Sequence, residues 1–295
     1  MNQVPWRGVI VATALPLRDD LSVDYDRYAE HVRWLLANGC DGVCPNGSLG
    51  EYQTLTDDER ATVIRTAVEA AGGERVLAGV SAYGSGEAVR WAEQAAKAGC
   101  RSVMSLPPNA FRADDEAVVE HFRAVASVGV PVVAYNNPHD TRVDLSPELL
   151  ARLHGDGLIG AVKEFSGDVR RGYRIAELAP ELDVLIGADD VALELAMAGA
   201  VGWIAGYPNA LPAECVAFYK AATSGDPASA LPAYRRLHPL LRWDSRTEFV
   251  EAIKLSMDLA GRHGGPCRPP RRPLAPVHAN QVRATTLAVL AERQG

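Results

Sequence analysis

One lysine stands where its amine could take part in covalent chemistry. Lys163 directly follows the apolar run 158–162, so the sequence places an ammonium group at the end of a predicted buried strand. Removing a charge from water is costly, and burial therefore favours the neutral amine. A neutral amine can attack a ketone and form an iminium, which serves as an electron sink for bond cleavage or elimination. The alternative is a structural ion pair with a carboxylate. The other lysines all fall in predicted helices: Lys97, Lys220 and Lys254.

Two further segments could assist that reaction. The stretch 46–51 (NGSLGE) follows the second predicted strand, and its backbone N–H groups around Gly47, Ser48 and Leu49, with the Ser48 hydroxyl, could hold a carboxylate. Tyr135 ends the fifth predicted strand, where its phenol could pass a proton between intermediates. A tight strand-to-helix turn and an ordinary buried tyrosine are the structural alternatives. Together, an amine nucleophile, an anion loop and a proton carrier make one consistent site.

Other polar residues near predicted strand ends receive a structural interpretation. His139 could act as an acid, but a solvated loop histidine is the simpler description. Asp189 and Asp190 have no histidine partners, so we expect them to cap the following helix and not to bind a metal. The cysteines are odd in number and lack a Cys-x-x-Cys pair, which favours buried free thiols over disulfides or structural zinc. They are Cys40, Cys44, Cys100, Cys215 and Cys267.

These residues need a scaffold that brings several strand ends together. Short apolar runs alternate with amphipathic segments along the chain, a pattern typical of β-α units around a parallel sheet. Eight such units predict an α/β fold, a (β/α)8 TIM barrel, in which active sites lie at the carboxyl ends of the strands. The predicted strands are 8–14, 42–45, 76–80, 102–106, 130–135, 159–163, 184–187 and 202–205.

Helix boundaries and a C-terminal extension complete the predicted fold. Pro147 after Ser146 marks a helix start, and Thr56 with Glu59 forms a capping-box pattern. Residues 1–211 are predicted to supply the strands and their helices, and 212–295 the last barrel helix and a C-terminal helical extension of the same single domain. The extension contains predicted helices at 227–241, 247–260 and 279–293, with a structural loop at 264–276.

Bulk composition narrows the class of protein. A chain of 295 residues with 47% hydrophobic content can bury one large core. Its formal net charge of −7, with both signs interspersed, disfavours a nucleic-acid partner. No apolar run approaches the roughly 20 residues needed to cross a bilayer, and no signal-peptide pattern begins the chain, so we expect no membrane span and a cytoplasmic location.

The candidate segments resemble the dihydrodipicolinate synthase and N-acetylneuraminate lyase family of class I aldolases. The resemblance covers nearly the whole chain and rests on the segments 47–51 (GSLGE), 135–138 (YNNP) and 160–167 (GAVKEFSG). It implies that Lys163 forms an imine, that Tyr135 relays protons with help from Ser48, and that the backbone amides of Ser48 and Leu49 bind the carboxylate of a 2-oxo acid. Positions that also match the family's pocket are Gly47, Gly187 and Ile204. The resemblance further implies a homotetramer and no metal or organic cofactor.

Three positions depart from the synthase pattern. Leu49 replaces a second hydroxyl residue, so only its amide can act there. The segment 106–111 (LPPNAF) has no tyrosine where the synthase carries one that reaches a neighbouring subunit. Asp140 occupies the position that matches a substrate-binding arginine, and a carboxylate there repels the carboxylate of aspartate semialdehyde. Arg142 lies two residues further on, about 6 Å along an extended chain.

These departures shape the predicted function. We expect a Schiff-base lyase acting on a 2-oxo acid or cyclic-imine equivalent by dehydration, deamination or retro-aldol cleavage. A sugar acid or 1-pyrroline-4-hydroxy-2-carboxylate is the favoured type of substrate. The alternatives are 4-hydroxy-tetrahydrodipicolinate synthase activity and a sensor that binds an oxo acid without turnover.

Overall fold

Eight parallel strands form the centre of the molecule. They are β1 (Gly8–Ala12), β2 (Gly42–Cys44), β3 (Leu77–Gly79), β4 (Ser102–Ser105), β5 (Val132–Asn136), β6 (Ala161–Glu164), β7 (Asp183–Ile186) and β8 (Gly202–Ala205). In this computed structural model, which describes residues 5–292, the strands pair in the order β2-β1-β8-β7-β6-β5-β4-β3. A parallel bridge between Val43 and Val76 joins the two ends of that order. The sheet therefore closes into the predicted (β/α)8 barrel.

Helices surround the barrel and extend beyond it at the C-terminus. They are α1 (Tyr25–Ala37), α2 (Asp57–Ala71), α3 (Ser85–Ala98), α4 (Asp115–Ala126), α5 (Pro138–Thr141), α6 (Pro147–Gly155), α7 (Arg170–Leu178), α8 (Ala192–Met197), α9 (Pro212–Ala222), α10 (Leu231–Leu241), α11 (Phe249–Leu259) and α12 (Pro276–Ala291). Two predicted helix starts are confirmed. Thr56 and Glu59 form the reciprocal capping box, and the Ser146 hydroxyl accepts a hydrogen bond from the Leu149 amide at 3.1 Å. Within 5–292 no helix is both long and apolar enough to cross a membrane.

All eight predicted strands exist; the eighth has the predicted boundaries, and the other seven are shifted or shorter. The fifth begins at Val132, two residues later than predicted, because Pro131 has no N–H to give to a ladder. The predicted helix 227–241 begins as a 3-10 turn at Pro227–Ala230 and becomes α10 only at Leu231. The last helix starts at Pro276, three residues early, with proline at its first position. Its predicted end at 293, like residues 1–4, lies outside the described residues.

Alternation along the strands separates two cores. On β6, Val162 packs outward against the helices, whereas Ala161 belongs to a smaller cluster inside the barrel. The inner cluster also holds Tyr135 and Ile204. Every second side chain of a strand therefore points into the barrel, and those at the carboxyl ends of the strands face one another across the barrel mouth.

Candidate functional site

Lys163 lies inside the barrel near the end of β6. Its backbone is in register with Tyr135 on β5 and Leu185 on β7, and only 6% of the residue is exposed. Across residues 5–292, no group forms a hydrogen bond or ion pair with the Lys163 amine. Its Nζ atom lies 4.4 Å from the centre of the Tyr135 ring. Buried polar groups are normally paired within the protein, so this amine is left available to a ligand.

Tyr135 stands beside the amine and connects it to the barrel mouth. The residue is 6% exposed, and its hydroxyl accepts a hydrogen bond from the Asn137 amide at 3.4 Å. The same Asn137 nitrogen donates to Asp140 at 2.8 Å. Burial, followed by the nearby carboxylates of Asp244 and Asp140, raises the pKa of Tyr135 well above its usual range. The phenol is therefore protonated at neutral pH and able to donate a proton.

The predicted anion loop is a short 3-10 turn after β2. Ser48–Gly50 forms the turn, closed by a 3.0 Å hydrogen bond from the Gly50 amide to the Gly47 carbonyl. The first N–H groups of such a turn have no partner within it, which leaves the amides of Ser48 and Leu49 for a ligand. Ser48 is half-buried, whereas Leu49 is buried and its Cδ2 lies 3.6 Å from the position that a Cβ on Gly206 would occupy. The loop thus meets the end of β8.

A buried ion pair fixes this loop from behind. Glu51 follows the turn in the left-handed region at φ 53, and its Oε1 accepts a hydrogen bond from Lys254 on α11 at 2.7 Å. Lys254 also donates to the Pro266 carbonyl at 2.7 Å, and the Arg268 amide donates to the second Glu51 oxygen at 2.8 Å. The predicted structural loop 264–276 therefore contacts the site through Glu51. Sequence reasoning missed this brace, because its partners lie about 200 positions apart.

Glycine and isoleucine complete the wall near Lys163. A Cβ on Gly187 would stand 2.4 Å from the Glu164 carbonyl oxygen and 3.0 Å from Cγ of Lys163, so any larger residue would collide with β6. Ile204 on β8 is 1% exposed and belongs to the same inner cluster as Tyr135. Both predicted pocket residues thus lie at the barrel mouth.

Asp189 does not cap the following helix, and that prediction is wrong. Neither the 3-10 turn Asp189–Val191 nor α8 has a side-chain cap. The Asp189 carboxyl is fully buried and accepts hydrogen bonds from the Trp203 indole at 2.8 Å and the Gly206 amide at 3.2 Å. Burial, then the neighbouring Asp244 carboxylate, raises the pKa of Asp189 well above its usual range. The Asp189 carboxyl therefore bonds to Trp203 and Gly206, which are distant in sequence, and not to the amides of the following helix.

Asp244 lies near Lys163 at the barrel mouth, and the sequence did not single it out. It lies in the connection between α10 and α11, and its Oδ1 is 3.3 Å from the position of a Cβ on Gly206. Burial raises the pKa of Asp244 to about 6, against the opposing effect of the Lys163 charge. No local pattern marks this residue, because it reaches the barrel mouth only through the folding of the C-terminal extension.

The remaining candidates lie at the rim. Asp140 is an exposed residue of α5, held by Asn137 as described. Arg142 ends α5 in a left-handed conformation at φ 57 and is exposed. His139 is exposed and hydrogen-bonds to the Ser166 carbonyl at 3.2 Å. In the described part of the chain, no group of three potential ligands is arranged to hold a metal ion.

Comparison with known proteins agrees with this architecture. Residues 5–289 match the model of the Dihydrodipicolinate synthetase family. A 4-hydroxy-tetrahydrodipicolinate synthase of Methanothrix thermoacetophila is 33% identical over 285 residues, covering 94% of this chain and 95% of the relative. An uncharacterised DapA-like lyase of Rhizobium meliloti is also 33% identical, over 276 residues, with 91% of each chain covered.

Solved structures agree as well. A dihydrodipicolinate synthase from Aquifex aeolicus superposes with a TM-score of 0.92 at 28% identity, covering 97% of this chain and 98% of that one. A prophage protein of the same family from E. coli K12, solved in complex with pyruvate, gives a TM-score of 0.89 at 26% identity, with coverage of 96% and 98%. This chain therefore belongs to the dihydrodipicolinate synthetase family, whose members are aldolase-type lyases.

Proposed function

We propose that this protein is a Schiff-base lyase in which Lys163 condenses with a 2-oxo acid or its cyclic-imine equivalent. The observation that carries the proposal is the Lys163 amine itself, which is buried at the barrel mouth without a hydrogen bond or ion pair from any described residue. An amine used for structure is paired, as Lys254 is. An amine used for catalysis needs its lone pair and a free approach.

The neighbouring residues supply the other parts of the reaction. The amine adds to the substrate ketone, and the carbinolamine loses water to give the iminium; Tyr135, with Ser48, carries the protons for both steps. The amides of Ser48 and Leu49, together with Gly47, hold the substrate carboxylate. Loss of a proton from C3 then gives an enamine. The enamine expels a hydroxyl or amino group from C4 with a proton, and hydrolysis frees the lysine. Retro-aldol cleavage uses the same iminium to accept the electron pair of the C3–C4 bond.

The favoured substrates are sugar acids or 1-pyrroline-4-hydroxy-2-carboxylate. Asp140 supports this choice, because a carboxylate at that position repels a second substrate carboxylate. The segment after β4, 106–111, also lacks the tyrosine expected of the synthase. The alternative is 4-hydroxy-tetrahydrodipicolinate synthase activity, for which several relatives at about 33% identity are named. An oxo-acid sensor is the alternative of another class.

Two measurements test the proposal. In D₂O, the wild-type protein should exchange the methyl protons of pyruvate by way of the enamine, and NMR would follow this exchange. Lys163→Arg should not exchange them, and the matched Lys220→Arg should behave as wild type.

The second measurement is a turnover assay with three groups of substrates: 4-hydroxy-2-oxo acids, 1-pyrroline-4-hydroxy-2-carboxylate, and pyruvate with aspartate semialdehyde. We expect steady turnover of a member of the first two groups. Faster turnover of the last pair would favour the synthase, and exchange without any turnover would favour the sensor.

A further inference from the structure

The barrel mouth near Lys163 and Tyr135 is acidic, and part of this charge comes from the C-terminal extension. Two carboxyl groups meet at Gly206, one residue beyond β8. The Gly206 amide donates to Asp189 at 3.2 Å, and Oδ1 of Asp244 lies 3.3 Å from the position of the missing Gly206 Cβ. Leu49, from the anion loop, approaches the same point at 3.6 Å. Asp244 therefore adjoins both the end of β8 and the loop assigned to the substrate carboxylate.

The loop that carries Asp244 is fixed over the barrel mouth. The hydroxyl of Ser245 donates to the Asp190 carboxylate at 2.8 Å. Tyr234 and His238 on α10 both hydrogen-bond to the Asp190 carbonyl, at 2.6 Å and 3.2 Å. These contacts attach the end of α10 to the segment after β7, so Asp244 cannot swing away without breaking them.

The two carboxyl groups differ in what they can offer a substrate. Both oxygens of Asp189 are occupied by protein donors, and burial holds its pKa high. Asp244 is partly exposed, and in the stretch 5–292 its carboxylate accepts a hydrogen bond from the Asp189 backbone amide but none from a side chain, so it keeps lone pairs for a ligand. Among its charged neighbours, Lys163 is the cation that lowers the pKa of Asp244.

We propose that Asp244 is a specificity-determining residue that makes this pocket accept 2-oxo acids with an uncharged, hydroxyl-bearing far end and reject those that end in a second carboxylate. The inference rests on the proposed function, because it assumes that the 2-oxo group is attached to Lys163. A substrate carboxylate close to Asp244 in a poorly solvated pocket is repelled, whereas a hydroxyl can donate a hydrogen bond to a remaining lone pair of the Asp244 carboxylate. Asp140 is a second carboxylate near Tyr135, so its charge acts in the same sense as that of Asp244.

Reductive trapping with matched probes tests this inference without knowledge of the natural substrate. The probes are pyruvate, 2-oxoglutarate and the 5-methyl ester of 2-oxoglutarate, which keeps the chain and removes the second charge. Each is incubated with the whole protein and borohydride, and the half-saturating concentration for adduct formation is read from intact mass. The variants are Asp244→Asn and Asp244→Ser, with Glu248→Gln as the matched control. Glu248 lies in the same connection and pairs with His278 at 3.7 Å.

The result to compare is the ratio of the half-saturating concentrations of 2-oxoglutarate and its ester. At pH 8, wild type and Glu248→Gln should need on the order of tenfold more 2-oxoglutarate than ester, and both Asp244 variants should bring the ratio close to one. At pH 5 the wild-type ratio should narrow, because burial raises the pKa of Asp244 to about 6 and the carboxyl then carries less negative charge. The titratable groups that face Asp244 are Lys163, Asp189, Asp190, Tyr135 and Tyr207.

The failures are distinguishable. An unchanged ratio in both Asp244 variants, with normal pyruvate adduct, would overturn this inference and leave the imine chemistry standing. Absence of any pyruvate adduct in wild type would overturn the proposed function and this inference with it. Adduct formation from pyruvate also reports that each variant has folded, so a loss of selectivity is not confused with unfolding.

Discussion

The molecule buries two lysines, and they differ in almost everything except burial. Lys254 is 2% exposed and donates to Glu51 and to the Pro266 carbonyl, both at 2.7 Å. Lys163 is 6% exposed and has an aromatic ring beside it but no acceptor among residues 5–292. A buried ammonium is tolerated when its donors are satisfied, and it is a liability when they are not. The contrast indicates that Lys254 stabilises the fold, and it supports the proposal that Lys163 is the reactive amine.

The largest effect expected from this comparison is on catalysis. Lys163→Met should lower pyruvate proton exchange and substrate turnover by at least about 1000-fold, because the covalent route is lost. The free energy of unfolding should stay the same or rise by about 1 kcal/mol, because an unpaired buried amine is replaced by an apolar chain of similar shape. Exchange kinetics and urea unfolding measure the two effects, with the exposed Lys220→Met as control. Retained exchange would remove the distinction between the two lysines.

The complementary change should act on stability. Lys254→Met leaves the Glu51 carboxylate buried without its partner, and we expect the free energy of unfolding to fall by about 3–5 kcal/mol. The double variant Lys254→Met with Glu51→Gln should recover part of that loss, which urea unfolding in a double-mutant cycle would measure. If Lys254→Met unfolds at the same urea concentration as wild type, the ion pair between Lys254 and Glu51 does not stabilise the fold.

Two buried tyrosines, Tyr135 and Tyr28, should differ in their effect on proton transfer. Tyr135→Phe should slow pyruvate exchange by roughly 100-fold or more, the usual worth of a positioned acid–base group. Tyr28→Phe removes another buried hydroxyl, which bonds to Thr13 at 2.9 Å. That control should cost about 1 kcal/mol of stability and leave exchange intact. Equal effects of both variants on exchange would deny Tyr135 a specific part in the reaction.

Burying the ionised Asp244 carboxyl should make the free energy of unfolding depend on pH. Burial raises the pKa of Asp244 to about 6 in the folded state, against 3.8 for the ordinary carboxyl. The folded protein therefore binds this proton more tightly than the unfolded chain does, so the stability that it contributes is present below about pH 4 and lost as the pH rises through 6. Asp244→Asn should match wild type at low pH and exceed it by about 1 kcal/mol above pH 6, a figure reduced for partial exposure. Urea unfolding from pH 4 to 8 would measure the difference, and a constant offset between the two proteins would contradict it.

The smallest expected effect concerns assembly. Tyr83 and Phe111 lie in the loops after β3 and β4 and are 70% and 61% exposed in the single chain. The family resemblance implies a homotetramer, and in such an assembly we expect neighbouring subunits to cover Tyr83 and Phe111 and so gain stability. Phe111→Ser should then shift light-scattering mass toward smaller species at low protein concentration, whereas the exposed Tyr173→Ser, on α7, should not.

The sequence predicted what depends on local pattern. Short apolar runs predicted the barrel, and strand ends predicted Lys163 and Tyr135 at its mouth, because periodicity and turn residues act over a few positions. Asp244 and the contact of Lys254 with Glu51 were missed, since each depends on how the C-terminal helices fold back onto the barrel. Asp189 was wrongly expected to cap a helix, because its environment is set by Trp203 and Gly206, which are distant in sequence.

The position of a reduced pyruvate adduct along the chain shows which lysine forms the imine. The protein is incubated with pyruvate, treated with borohydride, digested and mapped by mass spectrometry. We predict modification of Lys163 approaching one per chain, with Lys254 unmodified. An adduct on another lysine, or none at saturating pyruvate, would contradict the assignment of Lys163 as the reactive amine.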